Sequence, residues 1–300
     1  MREKTRRHQQ LEILNRRYKL SSYEKEELLK LEAGREGEMI FDGILENFIA
    51  GTNIVHLKDY NFYPEEIDSR FLTRSKEGEA HVQIDNVVLA KDFLYTFEIK
   101  NYSFDLSYKD SRWYFENGNE FSDPLVQVTK QRNMMSRLLG SFTHQIRMFN
   151  VLVFINENQT IYNLPSTNEI IVRSNLRRKL SKAMVNNHYD YSGLVADLES
   201  RHLTVLKHQG DTTVEFRNLD KGVFCVKCGD RLARVNRNRF KCGRCGIDTP
   251  ILVAANQLIN EIKVLNQSWT LTPSLLQLYS DGEISEAYVR ANKKRKMIVL

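Results

Sequence analysis

The chain has no apolar run approaching the roughly 20 residues that span a bilayer. Its longest compact one, Val151-Leu152-Val153-Phe154-Ile155, has the length of a buried strand. The start, MREKTRRHQQ, is basic and lacks the apolar segment of a secretory signal, so a cytoplasmic protein without membrane contact is expected. Cysteine is scarce: four residues, all gathered between Cys225 and Cys245, which leaves none for nucleophilic chemistry elsewhere. No Ser/His/Asp spacing stands out, and no internal repeat or low-complexity tract is evident.

What is present is a soluble globular composition. With 300 residues, 41% hydrophobic and 27% charged, the chain can bury a core and form two domains, or one with an appended module. The net charge of +6 is uneven. Residues 221–300 hold 14 Lys/Arg against 6 Asp/Glu, a balance of +8, and the first 220 hold 30 against 32, a balance of −2. A localised polyanion-binding surface near the C-terminal end fits that distribution; a simple solubility feature is the alternative.

The first 48 residues read as helix, broken near Leu20-Ser21-Ser22. Ser22, with Glu24, Glu26 and Glu27 behind it, has the composition of a capped helix start. Ile40, Phe41, Ile44, Leu45 and Phe48 then form an apolar stripe at helical spacing, suited to lie on a sheet. Residues 1–30 are expected to be a peripheral helical arm. A short strand over 53–57 and a polar loop to about residue 80 follow. Residues 81–89 and 93–101 read as strands around a turn at Lys91-Asp92, and 112–115 as a further strand closed by Asn117-Gly118. Pro124 opens a helix to about Leu139, 148–155 is a core strand, 169–172 another, and 174–207 is helical. This order predicts an α/β/α sandwich with a central mixed sheet. The expected divisions are the arm, a main domain over 31–207, a cysteine module over 221–248 and a helical segment over 251–300.

In the segment FLYTFEIKN, residues 93–101, alternation puts Glu98 and Lys100 on one strand face. A turn centred between Lys91 and Asp92 pairs residues whose numbers sum to 183, which sets Asp85 opposite Glu98. Two carboxylates that close repel unless a cation lies between them or one is protonated. Mg²⁺ and Mn²⁺ favour such oxygen clusters. An exposed salt-bridge set on a strand face is the plain alternative.

Gly34-Arg35-Glu36-Gly37-Glu38, Gln83-Ile84-Asp85, Glu98-Ile99-Lys100-Asn101 and the Gln127 to Gln131 stretch together resemble the nuclease-related domain (NERD) family of the restriction-endonuclease-like superfamily, over roughly residues 30–155. The resemblance implies a site with Asp85, Glu98 and the Ile99 carbonyl as Mg²⁺ or Mn²⁺ ligands. It implies Lys100 as the residue that positions or activates the attacking water, Glu38 as a helix-borne acid, and Gln127 as a further site residue. Gln131 is expected to be solvated, and Trp113 to pack. The Pro that often precedes the active-site Asp in that superfamily is replaced by Ile84. The implied reaction is metal-assisted phosphodiester hydrolysis, with DNA the favoured substrate. A non-catalytic nucleic-acid-binding or scaffold protein on the same fold, and a nuclease active only within a larger complex, are the other readings.

Cys225-Val-Lys-Cys228-Gly229 and Cys242-Gly-Arg-Cys245-Gly246 lie 13 residues apart, close to zinc-ribbon spacing, and predict a structural four-thiolate Zn²⁺ site. The span carries Lys227, Arg231, Arg234, Arg237, Arg239, Lys241 and Arg244 against Asp230 alone. These arginines, with Lys241 and with Phe240 as a base-stacking ring, are candidate nucleic-acid contacts; docking on a protein surface is the alternative. In the last 50 residues a small helix-turn-helix is conceivable, with Lys293, Lys294 and Arg295 gripping backbone phosphates, and a solvated charge run explains the same residues equally well.

Overall fold

The computed structural model of the chain describes residues 2–63, 82–140, 142, 146–203 and 210–300. The expected polar loop lies largely outside the described residues, as do His81 and the end of the expected 174–207 helix. In chain order the elements are α1 (Arg6–Arg17), α2 (Ser22–Ile49), β1 (Val55–Phe62), β2 (Val82–Ala90), β3 (Phe93–Lys100), β4 (Leu106–Lys109), β5 (Arg112–Phe115) and β6 (Glu120–Phe121). Next come α3 (Leu125–Leu139), β7 (Arg147–Phe154), β8 (Ile161–Tyr162), β9 (Ile170–Val172), α4 (Arg173–Ala183) and α5 (Ser192–Arg201). The remainder comprises β10 (Leu232–Asn236), β11 (Arg239–Cys242), β12 (Asp248–Pro250), α6 (Ile251–Leu265), α7 (Pro273–Tyr279) and α8 (Glu286–Lys294). Residues 1–3 with 32–208 make one compact unit, and 4–31 with 209–300 make a second.

The first unit is built on a five-stranded mixed sheet in the order β1-β2-β3-β7-β9. β1, β2 and β3 are antiparallel neighbours, whereas β7 runs parallel to β3 and β9 parallel to β7. One face is covered by Phe41, Ile44 and Leu45 of α2 and by Leu176 and Leu180 of α4. The other is covered by Met134, Met135 and Leu138 of α3 and by Leu194 and Leu198 of α5. The α/β/α sandwich expected from the sequence is therefore present, with β3 at its centre and buried on both sides. Ile40, expected in the apolar stripe of α2, is exposed instead. Ser21, one residue earlier than expected, caps α2: its Oγ accepts from the Glu24 N–H, and Glu24 Oε2 accepts from the Ser21 N–H at 2.9 Å.

Three features depart from the sequence reading. β1 is longer than residues 53–57 and takes in Lys58, Asp59 and Asn61, whose polar side chains mask its period. The helical stretch after residue 173 is two helices, parted at 184–191. A second, four-stranded sheet in the order β6-β5-β4-β8 was not expected beyond β5. Its strands are four residues or fewer, too short to show alternation. Trp113 is fully buried under it, with its ring centroid 5.6 Å from that of Phe154, so it packs as expected.

The second unit has one core shared by Leu11 and Leu14 of α1, Leu258 and Ile262 of α6, Leu276 of α7, Val289 of α8, and Leu232, Phe240 and Cys242 of the three-stranded β10-β11-β12 sheet. α1 is thus not a peripheral arm. Its Arg17 is fully buried, donates from Nε to Glu261 Oε2 at 2.8 Å, and lies 3.9 Å from the Tyr279 ring centroid. A buried guanidinium is tolerated because a carboxylate, two backbone carbonyls and an aromatic face meet it. Arginine-rich composition had suggested a solvated helix; here its stripe of Leu11, Ile13 and Leu14 decides the placement.

Candidate active site

The β2–β3 register follows the rule read from the sequence: Asn86 pairs with Phe97, Val87 with Thr96 and Leu89 with Leu94. The ladder then stops, so Asp85 and Glu98 are not a regular cross-strand pair. On the far side of β2 the pairing passes from Lys58↔Asn86 to Tyr60↔Ile84. Between these pairs Asp59 takes a left-handed φ of 49°. Leu57, Tyr60, Ile84 and Val87 all serve the core on the α3 side, so alternation slips by one residue at Asp59 and Asp85 on both strands. Strict alternation does not place Asp85; this distortion does. Where β2 and β3 part, Asp85 Oδ2 accepts the Ile99 N–H at 2.8 Å, substituting for a backbone carbonyl.

Glu98 lies on the α3 side of β3 and is 4% exposed, and Asp85 is 8% exposed. Each oxygen of Glu98 has a donor: Lys100 Nζ on Oε1 at 2.7 Å, and Gln131 Nε2 on Oε2 at 2.7 Å. Lys100 also reaches Gln127 Oε1 at 2.8 Å. Gln127 meets Lys100 from α3, with its side chain at the exposed rim. Gln131 is a correction: it is buried, and it ties Glu98 to the Gln83 carbonyl at 2.9 Å. Their shared helix face was legible; which of the two points inward was not, because that depends on the tilt of α3.

Electrostatics mark the same place. Burial, then the Glu98 and Glu38 charges, push the Asp85 carboxyl well above the usual carboxylate range. Burial likewise raises Glu38 to about 7 against the opposing Arg2 charge. For Lys100, burial acts downward but is outweighed by the Glu98 charge and hydrogen bond, and its pKa is raised. Lys100 therefore stands as an ammonium.

Glu38 is brought to the site by a close approach of α2 to the end of β3. A Cβ on Gly37 would lie 2.6 Å from Asn101 Cβ, and Asn101 Nδ2 donates to the Ala33 carbonyl at 2.8 Å. Glu38 does not close a three-carboxylate cluster with Asp85 and Glu98: among the described residues, no such group has all its ligand atoms within 4.8 Å. Its Oε2 lies 3.3 Å from Arg2 instead.

Arg2 was missed by sequence reading. Its guanidinium grips Asp42 with Nε at 3.0 Å and Nη2 at 2.9 Å, meets Asp59 at 2.5 Å, and donates to the Asp85 carbonyl at 2.9 Å and Asn86 Oδ1 at 2.8 Å. The side chain is 1% exposed. Nothing in a basic N-terminal decapeptide distinguishes one arginine of this kind from its solvated neighbours. The buried Asp42 partner, on the same helix as Glu38, was the available hint.

The donors fit a hard divalent ion. Among the described residues, the Asp85 carboxylate accepts a single hydrogen bond, from the Ile99 N–H. A cation beside this buried carboxyl would favour its charged form. Asp85, Glu98 and the Ile99 carbonyl would hold that ion.

The four cysteine sulfurs of the second unit all lie within 4.8 Å of one another. Cys225 and Cys245 Sγ are 3.6 Å apart, and Cys228 and Cys242 Sγ 3.4 Å. Gly229 and Gly246, at φ 76° and 74°, close the two turns, with their N–H groups on the Cys225 and Cys242 carbonyls. A closed four-thiolate set of this kind suits structural zinc. Of the basic residues around it, Arg231 pairs with Asp281 at 2.6 Å, Arg239 with Asp248 at 2.6 Å, and Arg234 donates to the Glu283 carbonyl. Arg237, Lys241 and Arg244 form no ion pair among the described residues, and neither do Lys293, Lys294 and Arg295. Phe240 cannot stack a base, because it is fully buried.

A mixed sheet sandwiched between helices is a nuclease-like fold, and Asp85, Glu98 and Lys100 gather at the point where its central strands part. The comparison with known families agrees: residues 33–155 match the model of the nuclease-related domain. No curated protein and no solved structure gives a significant match. Among the described residues, no helix is long and apolar enough to cross a membrane.

Proposed function

We propose that the protein is a Mg²⁺- or Mn²⁺-dependent nuclease that hydrolyses phosphodiester bonds, with DNA the favoured substrate. The observation that carries this reading is the buried Asp85–Glu98 pair with Lys100 bonded to Glu98. Two buried carboxylates are costly to hold together without a function or a counter-ion. When bound, the ion would polarise a phosphoryl oxygen and lower the pKa of water.

The protein groups supply the rest. Lys100, held between Glu98 and Gln127, offers an ammonium to the charge that grows on the phosphoryl oxygens. Gln131 fixes the orientation of Glu98. Glu38, with a pKa of about 7, is suited to exchange a proton near neutrality. The zinc ribbon would assist through Arg237, Lys241 and Arg244, which form no ion pair among the described residues, with Lys293, Lys294 and Arg295 offering a further basic cluster.

The test compares wild type with Glu98→Ala on plasmid and single-stranded substrates, with and without Mg²⁺ or Mn²⁺. Metal-dependent cleavage that disappears in the variant is expected. Equal cleavage by both proteins removes the assignment, and no cleavage by wild type under any of these conditions favours a binding or scaffold role.

A further inference from the structure

The sheet face opposite Glu98 carries a second feature. Tyr95 and Phe97 alternate along β3 with Thr96 and Glu98, so they face the α2–α4 layer. Tyr95 stacks on Phe97 at 6.0 Å and 16°, and on Phe149 of β7 at 5.7 Å and 21°. Phe93 abuts Phe149 edge-on at 5.2 Å. This aromatic row is not sealed: Phe149 is 40% exposed. It floors a cavity of about 410 Å³, where the apolar Val151, Ile171, Leu180 and Ala183 share the lining with the polar Asn168, Arg178, Lys179 and Lys182.

The polar part of that lining is basic, in a unit whose remaining sequence carries more acids than bases. α4 carries Arg173, Arg177, Arg178, Lys179 and Lys182 and no acid. Lys179 is committed to the Thr167 and Ile170 carbonyls. Arg178 and Lys182 are exposed, four residues apart on one helix face, and form no ion pair among the described residues. Like charges at that spacing destabilise a helix, and an anion between them would relieve the repulsion.

We propose that this cavity binds a nucleoside phosphate, with the base on the Tyr95–Phe149 platform and the phosphate between Arg178 and Lys182. Phe149 is the exposed ring of this row, and an exposed ring accepts any base by stacking while neighbouring cations hold the backbone. The volume lies within the range of small-ligand sites and suits one nucleotide rather than a duplex. The site is separate from Glu98 and Lys100, so it anchors ligand without contributing to cleavage. A free mononucleotide and one nucleotide of a single strand share this chemistry.

The test uses the full chain carrying Glu98→Ala, without divalent cation, so that binding is read independently of cleavage. Fluorescence titrations employ a methylanthraniloyl derivative of AMP and, separately, a short labelled oligothymidylate. Saturable binding is expected, weakened at least about fivefold by Phe149→Ala. Joint Arg178→Ala and Lys182→Ala substitution should flatten the logarithmic salt dependence by about 0.7 per cation removed. Binding of the AMP probe identifies a free nucleotide as the ligand; binding of the oligonucleotide alone, with the same sensitivity to Phe149→Ala, identifies a strand. Should Phe149→Ala unfold the protein, the exposed pair Arg178→Glu and Lys182→Glu gives the same readout. Binding of both probes that none of these substitutions changes, or no binding of either, overturns the proposal.

Discussion

Gln131 Nε2 donates to Glu98 Oε2 at 2.7 Å, and through its second hydrogen to the Gln83 carbonyl at 2.9 Å. This amide connects the strand before Asp85 with the carboxylate of Glu98. Gln131→Ala should therefore leave Glu98 free to rotate. Partners that orient a ligand typically carry about 10–100-fold in metal affinity or activity. The expected outcome is a loss of that size in Mg²⁺ affinity, read by calorimetric titration, and a smaller loss for Gln127→Ala at the exposed rim. Equal effects of the two substitutions would show that Gln131 has no special hold on Glu98.

Arg2 gives a stability prediction. It is the cation shared by Glu38, Asp42 and Asp59, and removing it leaves Asp42, among the described residues, with Lys58 alone, 3.2 Å from its Oδ2. Arg2→Met is expected to cost about 3–5 kcal/mol in urea denaturation. Asp42→Asn added to it should restore part of that loss, because the bidentate acceptor no longer carries a charge. A fully additive double mutant would contradict the coupling.

Hydrophobic period and turn chemistry in the sequence indicate why β3 is central: Phe97 and Ile99 serve one core, Leu94 the other, and Lys91-Asp92 fixes the hairpin register. The same logic misses what depends on distant segments. The slip of alternation at Asp59 and Asp85 requires two strands to distort together. Arg2 requires a chain terminus to reach a strand 83 residues away in sequence. The burial of Arg17 and Phe240 depends on α6 and α7, and no local pattern announces it. The four-cysteine spacing needed no such knowledge, since two short turns deliver all its ligands.

Glu38 should make stability depend on pH. Its carboxyl rises from an ordinary 4.5 to about 7, mainly through burial. A raised folded-state pKa means that the folded protein holds the proton more tightly. The contribution is full below the unfolded value and is lost as pH rises through about 7. Glu38→Gln abolishes this dependence. Without added divalent cation, the Tm of the variant minus that of wild type should therefore increase between about pH 5 and about pH 8. A flat difference would mean that Glu38 titrates normally.

Gly37 is needed for close approach. A side chain there would meet Asn101 Cβ at 2.6 Å and Ile155 Cγ2 at 3.0 Å. Neither neighbour is the free end of a long side chain, so α2 itself must shift. Gly37→Ala is expected to destabilise by about 1–3 kcal/mol and to move Glu38 away from the site. Cleavage should fall more than the population of folded protein measured by circular dichroism. Parallel losses would reduce Gly37 to a packing role.

The four-cysteine module is tied into the second unit's core, since Cys225 and Cys242 are buried with Leu232, Phe240, Ile251 and Leu258. Four thiolates brought together without an ion repel, and zinc binding free energy becomes folding free energy. Protein purified without chelator should contain about one zinc per chain. A strong chelator should lower the Tm, and Cys228→Ser should reproduce that fall while abolishing the chelator's further effect. The shared core also means that α6 must respond: amide exchange in Ala254, Ala255 and Leu258, all fully buried, should accelerate on chelation. Zinc-free protein with unchanged protection at those amides would exclude a structural metal.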